Sequence, residues 1–228
     1  MRIAEIYQSD QGEGILTGTP SVFVRASGCN LRCTFCDTPF TSWAPEGTDR
    51  GVTEIVQMVR DFDCEHVVLT GGEPMLFAEL IPICEELKQA GHHLTIETAG
   101  TLYLPVTCDL MSISPKMKNS TPTAARDANW HLRHERVRYA PIVINRLMEE
   151  YEYQLKFVVA SLDDLPEIEE YLSNHPLALR ERVLLMPEGT DKERLATVTA
   201  WLQPECERRR FTYCPRKHIE WFGFERGT

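Results

Sequence analysis

Seven short apolar runs, rich in β-branched residues, recur along this 228-residue chain with helix-patterned segments between many of them. That alternation limits the fold more than any other feature. The runs are SVFVRAS (21–27), HVVLT (66–70), HLTIE (93–97), DLMSIS (109–114), YQLKFVVA (153–160), RVLLMP (182–187) and HIEWF (218–222). They are mostly apolar without clean alternation, as strands buried on both faces are. Between them, TEIVQMVRDF begins at a cap, Thr53, and Leu76, Leu80, Ile83 and Leu87 mark one face of a helix ending near Gly91. LDDLPEIEEYLSN has Asp163 or Asp164 as its cap and Pro166 in its first turn; DKERLATVTAWLQ repeats the plan with Leu195, Val198 and Leu202 at core spacing. Strands alternating with helices give a parallel sheet. At this length the expectation is an α/β fold, an incomplete TIM-like barrel of about six parallel strands with outer helices. A flat doubly wound sheet is the alternative. Residues 115–150 read as a long surface excursion plus one crossover helix, and no seam divides the chain, so one domain over 1–228 is expected.

Charge and cysteine usage narrow the function. A net charge of −10 makes the chain a poor general binder of nucleic acid, whose phosphates demand Lys and Arg, and the short ERRRF run at Arg208–Arg210 does not overturn that. A small-molecule substrate is expected instead. Neither a leader-like N-terminus nor 18 or so consecutive apolar residues occurs, from which a soluble, cytoplasmic protein without membrane contact is expected. In that compartment eight cysteines read as thiols or metal ligands, not disulfides, with Cys64, Cys84, Cys108, Cys206 and Cys214 as small buried hydrophobes.

The other three cysteines stand together. SGCNLRCTFCDTPF (27–40) places Cys29, Cys33 and Cys36 on the loop after the first apolar run, at the carboxyl end of a strand, where parallel α/β folds build their sites. A structural zinc would want a fourth Cys or His, and none occurs before Cys64. Three thiolates on a four-iron, four-sulfur cluster leave one iron open to a small molecule; accidental clustering is the third reading. Four further loops end later strands on the same rim: LTGGEPML (69–76), IETAGT (96–101), SISPK (112–116) and LMPEGT (185–190). Each alone reads equally as a strand-to-helix turn; together they describe one ligand site. YQSDQGEG (7–14), ahead of the first run, offers Gln11 and Glu13 to a heterocycle or is merely a polar hairpin. Arg25 interrupts an apolar strand and needs an anionic partner, either a substrate or an internal carboxylate.

Cys-x3-Cys-x2-Cys with Phe35 before its last cysteine, followed by Gly-Gly-Glu at 71–73, resembles the signature of the radical S-adenosylmethionine superfamily. Gln-Gly-Glu-Gly at 11–14, Arg25, Cys-Asp-Thr at 36–38, Ser-Pro-Lys at 114–116 and His218-x4-Gly223 extend the resemblance to the 7-carboxy-7-deazaguanine synthase family, from about residue 4 onward. The resemblance implies a radical-SAM barrel acting as a carbon–nitrogen lyase. Its substrate would be 6-carboxy-5,6,7,8-tetrahydropterin, converted to 7-carboxy-7-deazaguanine with loss of ammonia, for queuosine or another 7-deazapurine. It implies a [4Fe-4S] cluster on Cys29, Cys33 and Cys36, and Mg2+ on Thr38. S-adenosylmethionine would be used catalytically and held by Phe35, Gly72, Ser114, Pro115, Lys116, Met186, Pro187, Glu188 and Gly189. The pterin would meet Gln11, Gly12, Glu13, Arg25, Thr70 and His218; no residue is assigned as an acid or base. An external flavodoxin-like or ferredoxin donor and a homodimer are also implied. Two departures stand out: LMPEG replaces a Gln-Pro type turn, and the proline some relatives place after the histidine-bearing strand is missing here, its place falling to Phe224–Thr228. Two other readings share the triad: a glycyl-radical-enzyme activating protein, and a non-catalytic iron–sulfur or zinc-binding module.

Overall fold

The computed structural model describes residues 1–228, gathered on one nine-stranded sheet. Its strands are β1 (Arg2–Asp10), β2 (Pro20–Ala26), β3 (Thr48–Asp49), β4 (His66–Gly71), β5 (His93–Thr98), β6 (Leu110–Ile113), β7 (Tyr153–Val159), β8 (Val183–Pro187) and β9 (Thr212–Tyr213). They lie in the order β3-β1-β2-β4-β5-β6-β7-β8-β9, with β3 and β9 as free edges. From β2 to β9 every pairing is parallel, so the six expected long strands are present in an unclosed barrel. The seven helices are α1 (Val52–Arg60), α2 (Leu80–Gln89), α3 (Ala128–Arg138), α4 (Pro141–Glu150), α5 (Asp164–Ser173), α6 (Lys192–Arg209) and α7 (Lys217–Phe222). A cluster of 37 buried residues joins the apolar strands to the inner faces of the helices, with Ile55 and Val59 of α1, Ile83 and Leu87 of α2, and Val198 and Leu202 of α6 all fully covered. No helix is long and apolar enough to cross a membrane.

Several expectations are corrected by local chemistry. Residues 7–10 belong to a strand, β1, which runs antiparallel to β2; its half-buried sequence RIAEIYQSD lacks the apolar density that marks the inner strands. HIEWF is helical, as α7, and the seventh parallel strand is the two-residue β9. The 115–150 segment carries two helices, split where Pro141 cannot continue α3 and instead starts α4. Thr53 lies inside α1, whose N-cap is Gly51. Leu76 is not on α2: Pro74–Leu76 forms a separate 3-10 turn, leaving Leu76 42% exposed. α6 continues past the expected end, through Pro204 to Arg209. Of the scattered cysteines, Cys84, Cys206 and Cys214 are buried, whereas Cys64 and Cys108 are only half-buried.

The register places one polar residue from each of β2, β4, β5, β6 and β7 at a common level. Arg25 of β2 pairs with Thr70 of β4, Glu97 of β5 with Ser112 of β6, and Ser112 with Gln154 of β7. Thr70 donates to Glu97 at 2.8 Å, bridging the two sets. Each interrupts an apolar strand on the barrel's concave side, so that the floor of the interior is polar although the sheet is not.

Candidate active site

A cavity of about 320 Å3 opens at the carboxyl ends of the parallel strands. Cys29, Cys33 and Cys36 line it, with Phe35 and Thr38 of the same loop. Gly72, Ser114, Lys116, Met186, Glu188 and Gly189 reach it from later loops, and Gln11, Gly12, Glu13, Arg25, Thr70 and His218 line it as well. Pro115 and Pro187 are buried behind the rim and do not line it. The loops pack closely. Gly72 donates its N–H to Ala26 O at 3.0 Å, and a Cβ on it would strike the carbonyl of Gly28, so glycine is required where the β4 loop meets the cysteine loop. Gly12 accepts from the Lys217 N–H at 2.9 Å, which docks the start of α7 and brings His218 to the cavity.

The cysteine loop suits a cluster. Leu31 N–H points at Cys29 Sγ at 3.4 Å, and Ser42 Oγ lies 3.2 Å from Cys36 Sγ, hydrogen bonds of the kind that stabilise thiolates bound to iron. Burial pushes the Cys29 and Cys33 thiols up to about 12, so that it takes a bound cation to strip their protons. No three His, Cys, Asp or Glu side chains gather closely enough to hold a single metal ion. A cluster makes no such demand, because its thiolates ligate different irons. Glu73 is fully buried and accepts from Met75 N at 3.1 Å, Thr98 Oγ1 at 2.8 Å and Ala99 N at 2.9 Å. Burial raises its carboxyl above the usual range, only partly opposed by these donors. Glu73 thus ties the ends of β4 and β5 together.

The cavity is also lined by a chain of charges, joined to the cysteine loop at Asp37, that the sequence reading missed in part. Lys156 donates to Glu13 at 2.9 Å and to Glu97 at 2.8 Å; Arg216 donates to Glu13 at 3.0 Å and to Asp37. Burial works against the Glu13 charge, but Lys156 and Arg216, with His218, outweigh it and hold the carboxyl far below its ordinary value. Burial likewise opposes the Lys156 ammonium, and Glu97 and Glu13 more than offset it. His218 is the exception: burial lowers it despite Glu13, so its ring is neutral near pH 7. Arg25 has an internal partner, donating to Glu5 at 2.7 Å and to the Tyr7 hydroxyl at 2.6 Å, while its remaining N–H donors border the cavity. Lys156 was legible by the reasoning applied to Arg25, as a cation inside the apolar run YQLKFVVA. Glu5 and Tyr7 were hidden with β1, and Arg216 with α7. Phe224–Thr228 also line the cavity, with Arg226 reaching Glu46 at 3.0 Å.

Known proteins resemble this chain throughout its length. A family model described as the Radical SAM superfamily matches residues 23–115. The 7-carboxy-7-deazaguanine synthase of Rhodopirellula baltica is 46% identical over 227 residues, covering 99% of this chain and 88% of its own. That of Halobacterium salinarum is 42% identical, covering 95% and 88%. The crystal structure of QueE from Escherichia coli superposes with a TM-score of 0.67 at 21% identity, over 95% of this chain and 94% of that one, which supports the fold.

Proposed function

The chain belongs to the 7-carboxy-7-deazaguanine synthase family, and from that premise we infer that it is a radical S-adenosylmethionine lyase. It converts 6-carboxy-5,6,7,8-tetrahydropterin to 7-carboxy-7-deazaguanine with loss of ammonia, a step of 7-deazapurine and queuosine biosynthesis. The single observation that carries this reading is that Gln11, Arg25, Thr70 and His218 line one cavity together with the three-cysteine loop. When bound, a [4Fe-4S] cluster with S-adenosylmethionine supplies the carbon-centred radical that takes a hydrogen atom from the pterin. Substrate and deazaguanine product differ by one ammonia, so the conversion is redox-neutral and consumes no electron overall.

The chain's own residues hold and orient the reactants. Arg25, fixed by Glu5 and Tyr7, turns its free N–H donors to the C6 carboxylate of the pterin. Glu13 and Glu97, both kept ionised by Lys156, accept from the N–H groups of the aminopyrimidine. Gln11 is anchored through Nε2 to Ser21 at 2.9 Å, which leaves its carbonyl oxygen to the ring. The neutral His218 ring offers one donor and one acceptor without adding charge. Lys116, held 2.6 Å from Ser114 Oγ, is suited to the S-adenosylmethionine carboxylate, with Phe35 beside the adenine and the Met186–Gly189 turn offering backbone groups. Thr38 offers its hydroxyl to Mg2+, a hard cation that keeps water and substrate oxygens as its other ligands. The reading extends to a single domain over 1–228, a cytoplasmic homodimer and an external one-electron donor. Anaerobic reconstitution with iron and sulfide, then reduction with S-adenosylmethionine, Mg2+ and the carboxytetrahydropterin, should yield a product with the mass of the deazaguanine acid. Deoxyadenosine without that product overturns the assignment in favour of another radical enzyme.

A further inference from the structure

One basic face of this acidic chain lies against the cysteine loop. Residues 116–138 hold six Lys or Arg and two carboxylates, in a chain whose net charge is −10. Only Arg138 of that run forms an ion pair, with Glu135 and Glu167. Arg126, Arg133 and Arg136, and Arg32 of the cysteine loop, pair with no carboxylate. Arg126, Arg32 and Arg133 are held by aromatic rings instead. The Arg126 guanidinium lies 3.9 Å from the Trp43 ring centre, and those of Arg32 and Arg133 lie 4.0 and 4.6 Å from that of Trp130.

These contacts fasten the face to the loop's outer side. Arg126 donates to Thr34 O at 3.2 Å, Trp43 Nε1 to Cys33 O at 3.0 Å, Thr34 N to Ser120 O at 2.8 Å and Arg32 N to His134 Nδ1 at 3.1 Å. The solvent side of α3 presents Asn129, Leu132, Arg133 and Arg136 one helical turn apart, with Leu132 70% exposed. The inner side of the cysteine loop is taken up by the substrate cavity, so this face is the loop's approach from solvent.

We propose that the α3 face, Arg126, Leu132, Arg133 and Arg136 with Arg32, docks a small acidic one-electron carrier protein that reduces the group held by the cysteine loop. The proposal rests on the functional reading above, which requires such a group. Electron transfer falls steeply with distance, and this surface brings a carrier to the back of Cys33 without crossing the cavity. Guanidiniums without carboxylate partners attract an acidic rim, the ring-stacked Arg32, Arg126 and Arg133 lose little entropy on binding, and Leu132 supplies an apolar contact. RNA is the less favoured occupant. Trp130, the ring a base would stack on, already carries two arginines, and the rest of the chain repels phosphate. In the transfer, one electron leaves an anionic flavin hydroquinone, giving the neutral semiquinone, and enters the cluster; no proton moves.

The test mixes the reconstituted protein, without pterin, with reduced flavodoxin and follows bleaching of the cluster's visible absorption, beside reduction by dithionite. Arg133→Glu/Arg136→Glu should weaken the apparent affinity for flavodoxin by about tenfold or more and flatten its salt dependence. Its dithionite rate should be unchanged, as should both rates in the control Arg60→Glu/Arg208→Glu, which makes the same change in net charge elsewhere. Three results would overturn the proposal: unchanged flavodoxin kinetics in the α3 variant, equal slowing with both reductants, or flavodoxin failing to reduce the unaltered protein. Loss of transfer-RNA binding with unchanged flavodoxin kinetics would assign the face to nucleic acid. A protein that is reduced normally yet makes no deazaguanine contradicts the functional reading and leaves this one standing.

Discussion

Lys156 sits between two carboxylates with its side chain 5% exposed, and the charge balance of the substrate side turns on it. Replacing it with methionine strands Glu13 and Glu97 beside each other; breaking one partner out of such a buried network costs about 3 kcal/mol or more. Urea unfolding of Lys156→Met should show that loss, and Glu13→Gln/Lys156→Met/Glu97→Gln should recover most of it; equal stability of the single variant and the parent contradicts the network. Arg25 works differently, because its ion pair with Glu5 is internal and its free donors face the cavity. Arg25→Ala should raise the KM for the carboxytetrahydropterin by about tenfold or more while leaving the cluster spectrum intact. Unchanged kinetics would remove Arg25 from substrate binding.

Elements carried different amounts of legible information. The six long parallel strands could be read because strands buried on both faces are apolar throughout, and their carboxyl-end loops then placed the cysteines, Gly72, Ser114 and Gly189 on one rim. β1 and α7 could not be read this way. β1 is half-buried and of mixed polarity, and α7 is six residues long, too short for its period to differ from that of an apolar strand. Their partners in the site, Glu5, Tyr7 and Arg216, were lost with them. At the element scale a close junction joins the β4 loop to the cysteine loop. Gly72→Ala would push the Gly28 carbonyl away and spread the thiols; after reconstitution it should hold markedly less iron and sulfide than the parent. Full iron content in that variant would show that the junction does not shape the cysteine loop.

Across the whole molecule, the site makes stability depend on pH. Glu13 and Glu97 are held below their ordinary value of 4.5, so the unfolded chain takes up protons first as pH falls. Their contribution is complete above about pH 4.5 and lost below it. His218 is depressed from 6.5, so acidification through that value also favours the unfolded state. The unfolding free energy should therefore decline gently from about pH 6.5 and steeply below about 4.5; a flat profile between pH 7 and 4 would contradict the network as described. The central claim is that this one cavity runs a redox-neutral ring contraction in which S-adenosylmethionine acts catalytically. Its most direct test limits S-adenosylmethionine in an anaerobic reaction with excess carboxytetrahydropterin and counts the products. The account predicts 7-carboxy-7-deazaguanine in many-fold excess over the S-adenosylmethionine supplied. Product that never exceeds it, or deoxyadenosine accumulating in place of product, would contradict it.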